Sequence, residues 1–263
     1  MIQYGWQDCP QETRTQIETF VNDVRALLED DLIGVYLHGS LAMGCFNSRR
    51  SDVDLLLVTQ RGMSLDTKRY LTRLLLKQSA NPHPLELSFL TLVQLHPWQY
   101  PAPYDYHYSE DWRERMTQAL ASDAWRSWND KTRTDPDLAA HVVMTYHRGI
   151  TLYGPPIADT FPIVPETDYW DSVIYDVKDA HRIVTDNPVY GILNLCRAYW
   201  YALDQEIGSK DEAGMWALDN LPAIYRSLVQ QALDIYRGDR SDAPFDADDL
   251  RRFADFMSRQ VIR

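Results

Sequence analysis

A chain of 263 residues exceeds one typical domain and falls short of three, so one large domain or two modest ones are expected. Hydrophobic residues make up 45% and aromatics 12%, enough for a packed core and too many for a disordered polymer. The formal net charge of -12 excludes non-specific binding to a phosphate backbone, which needs clustered Lys and Arg; it suits a cationic partner, and equally serves plain solubility.

From the N-terminus, Ile17, Phe20, Val21, Val24, Leu27 and Leu28 recur at helical spacing and predict an amphipathic helix over residues 12–30. Ile33 to His38 is a short β-branched and aromatic run ending at Gly39-Ser40, a strand entering a turn. Val53 to Val58 is a second strand, apolar nearly throughout and therefore expected to be covered on both faces. Residues 64–79 form a helix with Ser64 as N-cap, and Pro84 precedes a third strand, Leu85 to Thr91. The Pro- and Tyr-rich stretch at 96–108 reads as an irregular connection and places a domain boundary near its end. Beyond it, helices are expected at 136–153, 168–185, 189–207, 210–219, 222–236 and 246–262. The fold class is thus an α/β N-terminal domain, a small mixed sheet with helices over residues 1–108, followed by an all-α helical bundle over 109–263.

Chemistry concentrates in His38-Gly39-Ser40-Leu41-Ala42-Met43-Gly44 followed by Ser51-Asp52-Val53-Asp54-Leu55. Strand side chains repeat every two residues, so Asp52 and Asp54 project to one side. Paired carboxylates repel unless a cation or hydrogen-bond donors separate them, and Mg²⁺ accepts such oxygen ligands together with substrate phosphates. Gly39 lets backbone amides approach phosphate oxygens, and the Ser40 hydroxyl can donate to them. Glu86 is a lone carboxylate in an apolar strand; beside the aspartates it would be a third metal ligand or a general base. Each feature alone has an ordinary explanation: a solvated Asp-x-Asp turn, an unremarkable Gly-Ser, a salt-bridged strand-edge glutamate. Their ordered combination points to phosphoryl or nucleotidyl transfer, which asks a protein for positioning and charge neutralisation.

HGSLAMGCFNSRRSDVDLLLV resembles the signature of the DNA-polymerase-β-like nucleotidyltransferases. LELSFLTLVQLHPW, Glu110-Asp111-Trp112-Arg113-Glu114 and Gly208-Ser209-Lys210-Asp211-Glu212-Ala213 further resemble the streptomycin 3''/spectinomycin 9 adenylyltransferase family, in family order from about residue 33 to 237. That resemblance implies transfer of AMP from ATP to a hydroxyl of an aminoglycoside or aminocyclitol antibiotic, with two Mg²⁺ ions on Asp52 and Asp54 and Glu86 as catalytic base. It implies an N-terminal nucleotidyltransferase domain and a C-terminal helical domain closing over ATP and drug. Gly39, Ser40, Arg197 and Lys210 would then bind ATP, while Trp112, Asp186 and Glu86 would meet the acceptor. Asp186 reads equally as a helix cap, Trp112 as a core aromatic, and Glu110, Asp111 and Glu114 either as acceptor contacts or as a solvated helix start. Two other readings stay open: a nucleotidyltransferase for a different small molecule or a protein, and an inactive nucleotide sensor.

No other catalytic pattern competes. The seven histidines lack HExxH spacing, and His141 and His147 are expected as plain helix-face residues. Cys9, Cys45 and Cys196 form neither a disulfide framework nor a zinc pattern. The opening residues lack a basic-then-apolar leader, and the longest apolar runs have strand length. A cytoplasmic monomer without nucleic-acid or membrane partners is therefore expected.

Overall fold

Alternating apolar runs of strand length separate the helical stripes in the first part of the chain, and this alternation builds a sheet with helices packed on it. The computed structural model describes residues 3–239, 241 and 243–261. In chain order the elements are α1 (Gln11–Leu28), β1 (Leu32–His38), α2 (Gly39–Ala42), β2 (Val53–Thr59), α3 (Leu65–Gln78), β3 (Leu85–Thr91) and α4 (Leu92–Leu95). Next come β4 (Ala102–Tyr104), β5 (Tyr106–Tyr108), α5 (Arg113–Ala121), β6 (Arg133–Asp135), α6 (Leu138–Arg148), β7 (Ile150–Tyr153) and α7 (Ile157–Thr160). The remainder is helical: α8 (Glu166–Val177), α9 (Ala180–Asp186), α10 (Pro188–Asp204), α11 (Lys210–Asn220), α12 (Arg226–Arg237) and α13 (Ala247–Val261).

Five strands form one mixed sheet in the order β5-β3-β2-β1-β7. β2 and β3 run parallel while the other pairs are antiparallel. Odd-numbered residues of the central strands (Val35, Leu37, Leu55, Leu57, Leu87 and Phe89) join Ile17, Phe20 and Val24 of α1 and Leu71 and Leu75 of α3 in one buried cluster. Even-numbered residues face the other way, where Tyr36 bonds Thr160 at 2.7 Å and meets Phe161 edge-on. Both faces of β1, β2 and β3 are covered, as the apolar VDLLLV run predicts. Ser64 caps α3 through Thr67 N at 3.1 Å, also as expected.

Four elements depart from expectation. The stretch at 96–108 is not wholly irregular: Tyr106–Tyr108 pairs with β3, burying Tyr106 and Tyr108. The helix expected at 136–153 stops at Arg148, and Ile150–Tyr153 returns as an edge strand on β1. Gly149 makes this break, because a Cβ there would meet the Thr145 carbonyl oxygen at 2.4 Å. The helix expected at 168–185 is two helices, with Asp179 accepting from Arg182 N at 3.1 Å to start the second. The helix expected from 222 begins with a short 3-10 turn before α12. Of the last expected helix, Ile262 lies outside the described residues.

Two compact units result, Tyr4–Asp168 and the residues from Tyr169 onward with the N-terminal segment. The expected boundary near residue 108 falls inside the first unit, because β7 pairs with β1. The helical unit has its own core, including Ile192, Leu193, Leu195, Cys196, Val229, Leu233, Phe253 and Met257. Cys9, Cys45 and Cys196 are buried free thiols, and burial pushes Cys196 well up from its ordinary range. No helix among the described residues is long and apolar enough to cross a membrane.

Candidate active site

β1 is antiparallel to β2, and β2 is parallel to β3, so the last residue of β1 lies beside the first residues of the other two. Register puts His38 opposite Asp54 and Asp54 opposite Glu86, three side chains in a row on one sheet face. Asp52, two residues before Asp54, points the same way. One carboxylate oxygen from each of Asp52, Asp54 and Glu86 lies within 4.8 Å of the others, and all three residues are half-buried. Gly39 turns the chain at this sheet end with φ +63°, and a Cβ there would meet Asp54 Oδ2 at 1.7 Å. Only glycine fits, for conformation and for space. The buried Ser40 hydroxyl has no hydrogen-bond partner among the described residues.

The electrostatics are strained by design of the sheet. Burial raises the Glu86 carboxyl to about 7, against an opposing pull from His141 and with added push from Asp52, which also hydrogen-bonds it. His141 stands on α6, its Nε2 3.2 Å from Asp137 Oδ2. Burial works against its charge, but Asp137, then Glu86 and Asp54, outweigh burial and raise it to about 10. Its ring centre is 5.0 Å from that of His38. Burial and the His141 cation hold His38 well below its ordinary value, so His38 is neutral, with a buried Nδ1 lacking a partner. The cluster thus has three carboxylates, one imidazolium and a neutral imidazole. An all-oxygen trio at this spacing fits a hard divalent cation, and the unpartnered Ser40 hydroxyl and bare Gly39 backbone fit phosphate oxygens.

His141 is the group that sequence reasoning missed. It was expected as a plain helix-face residue, yet its charge is the one that opposes the upward push on the Glu86 carboxyl. The Asp137-His141 spacing of four on a helix was the available signal.

The other candidates fall in several places. Trp112 is half-buried at the end of a 3-10 turn, 5.1 Å ring to ring from His107, with Arg115 4.9 Å from its ring. His107 in turn bonds Ser88 at 2.9 Å, two residues beyond Glu86 on the same face of β3. Trp112 is therefore tied to the Glu86 side of the sheet. Glu110 is committed elsewhere: Arg113, Ser79 and Tyr108 all donate to it, which holds its carboxyl below the usual range. Of the two readings for it, these contacts favour a structural place at the start of the helix over an acceptor contact. Asp186 ends α9, exposed, 3.8 Å from Arg182. The cap role considered for it belongs to Asn187, which accepts from Tyr190 N at 3.4 Å. Arg197 and Lys210 lie in the helical unit, on α10 and at the first position of α11.

Comparison with known proteins agrees with this chemistry. Residues 159–260 match the family described as aminoglycoside adenylyltransferase, C-terminal domain. The chain is 26% identical over 264 residues to an aminoglycoside (3'') (9) adenylyltransferase of Shigella flexneri, covering 96% of both. It is 29% identical over 225 residues to a spectinomycin 9-adenylyltransferase of Staphylococcus aureus, covering 83% of both. Its fold matches the crystal structure of spectinomycin adenyltransferase AAD(9) from Enterococcus faecialis with ATP and spectinomycin, at TM-score 0.80 and 20% identity. That match covers 95% of this chain and 99% of the other.

Proposed function

We propose that this chain is a magnesium-dependent adenylyltransferase that moves AMP from ATP to a hydroxyl group of an aminoglycoside or aminocyclitol, spectinomycin or streptomycin, and so confers resistance. The observation that carries the reading is the trio Asp52, Asp54 and Glu86, gathered within 4.8 Å beside the Gly39-Ser40 turn. Full-length likeness to aminoglycoside and spectinomycin adenylyltransferases supplies the substrate class.

Asp52 and Asp54 would hold Mg²⁺, which when bound neutralises the triphosphate and the departing pyrophosphate. The Gly39 backbone and the Ser40 hydroxyl orient phosphate oxygens, and Arg197 and Lys210 add positive charge for the triphosphate. Glu86 accepts the proton of the acceptor hydroxyl; a carboxyl near neutrality is a stronger base than an ordinary glutamate while still largely ionised above pH 7. Trp112 offers an aromatic face to the acceptor and Asp186 an exposed carboxylate. ATP supply makes the cytoplasm the site of action, and a single chain holds every residue the reading uses.

The test is pyrophosphate release from MgATP, with spectinomycin and streptomycin supplied separately against a blank without acceptor. Release with at least one drug is expected. If neither drug triggers release while MgATP binds, the acceptor assignment fails and the nucleotidyltransferase stands; absence of MgATP binding removes both.

A further inference from the structure

We propose that Tyr190 is a positioning residue for Lys210, seating its ammonium for the ATP triphosphate; this rests on the reading of Lys210 as a phosphate contact. Lys210 is the first residue of α11, after a capping box in which Ser209 Oγ accepts from Glu212 N at 3.1 Å and Glu212 Oε2 accepts from Ser209 N at 2.7 Å. A helix start repels a cation, since its backbone dipoles present positive charge there. A lysine at this place therefore serves something other than helix stability.

One contact that seats it is visible in the same unit. The Lys210 ammonium lies 4.5 Å from the centre of the Tyr190 ring. The Tyr190 hydroxyl donates to both carboxylate oxygens of Asp176, at 2.8 and 3.0 Å. Asn194, 1% exposed, donates its side-chain amide to the same carboxylate, and its own side-chain carbonyl oxygen has no partner among the described residues. Asp176 thus fixes the Tyr190 ring through its hydroxyl, and Asn194 in turn holds Asp176. A phenol donating to a carboxylate gains electron density on its ring, which improves the face as a seat for an ammonium.

A ring face attracts the charge of an ammonium without itself accepting a conventional hydrogen bond from it. Tyr190, Asn194 and Arg197 recur at intervals of four and three on α10 and so share one stripe. Burial pushes the Tyr169 phenol of α8 up, and the charge of Arg197 partly opposes that push. The stripe that fixes Lys210 thus carries the second proposed phosphate contact as well. Fixing the lysine beforehand removes part of the side-chain entropy that binding would otherwise cost.

The experiment measures MgATP affinity of the full chain by titration calorimetry, with kcat at saturating ATP and the melting temperature of each variant. Lys210→Ala is expected to weaken MgATP binding about tenfold or more. Tyr190→Leu should weaken it roughly three- to tenfold with kcat within about twofold, and Tyr190→Phe, which keeps the ring and loses the Asp176 bond, about twofold. In the Lys210→Ala background, Tyr190→Leu should add nothing. A Tyr190→Leu variant that binds MgATP as the parent does, or that costs the same in both backgrounds, overturns the positioning role. Should Tyr190→Leu fail to fold, Tyr190→Phe carries the same test of non-additivity. Undiminished binding by Lys210→Ala instead refutes the phosphate reading, and the inference with it.

Discussion

Glu86 sits where its charged form is least welcome, half-buried beside Asp52 and Asp54, and that has a consequence for stability independent of catalysis. Its folded value of about 7 lies above the ordinary 4.5. Between those values the native state binds more protons than the unfolded chain, so this group's contribution is fully present below about pH 4.5 and is lost as pH rises through 7. In metal-free protein the loss is on the order of 2 kcal/mol after allowing for partial exposure. Glu86→Gln cannot ionise. Relative to the parent in the presence of a chelator, it should melt several degrees higher at pH 8.5 and show little gain at pH 5, while pyrophosphate release falls at least about a hundredfold. Parallel melting curves across pH would remove the strained-carboxyl account, and retained turnover would remove Glu86 as base. At this scale much of the site was legible. The two-residue repeat of strands places Asp52 with Asp54 on one face, and Glu86 stands out as a charge in an apolar run. His141 was legible only through its spacing from Asp137, because its other neighbours, His38, Asp54 and Glu86, come from three strands far from it in sequence.

Elements with a complete local signal were readable from the chain: α1 from its apolar stripe, α3 from Ser64, β2 from an unbroken apolar run. Those whose reason is tertiary were not. β5 alternates Tyr106 and Tyr108 against His107, but Pro97, Pro101 and Pro103 just before it argue locally for a loop; the open edge of β3 decides otherwise. β7 continues the apolar spacing of α6, so only Gly149 marks where helix becomes strand, and pairing with β1 completes the change. The start of α11 belongs to the legible class and offers a test. Ser209 is buried, and Ser209→Ala leaves the Glu212 amide unpaired at about 1 kcal/mol. A fall of about 2–4 °C in melting temperature is expected, with weaker MgATP binding as Lys210 loses its fixed origin. A loss of affinity without any thermal change would mean that the capping box is not what anchors this turn.

For the molecule as a whole, the formal charge of -12 acts at longer range than any single contact. An acidic protein attracts a cationic antibiotic and repels MgATP, so the two substrates should respond oppositely to salt. Raising ionic strength from about 0.01 to 0.1 M shortens the screening length from about 30 to about 10 Å, which removes the long-range field and leaves short contacts. The expected result is a fall of several-fold in kcat/KM for the acceptor, a higher kcat/KM for MgATP, and a constant kcat. Constancy of kcat follows because Asp52, Asp54, Glu86 and His141 are buried or half-buried and are screened little by mobile ions. The bland alternative, in which net acidity serves only solubility, gives no salt dependence for either substrate. An equal fall for both would instead implicate general weakening of the fold, which melting temperatures at the two salt concentrations would detect. Opposite signs for the two substrates are the one pattern that only a steering field produces.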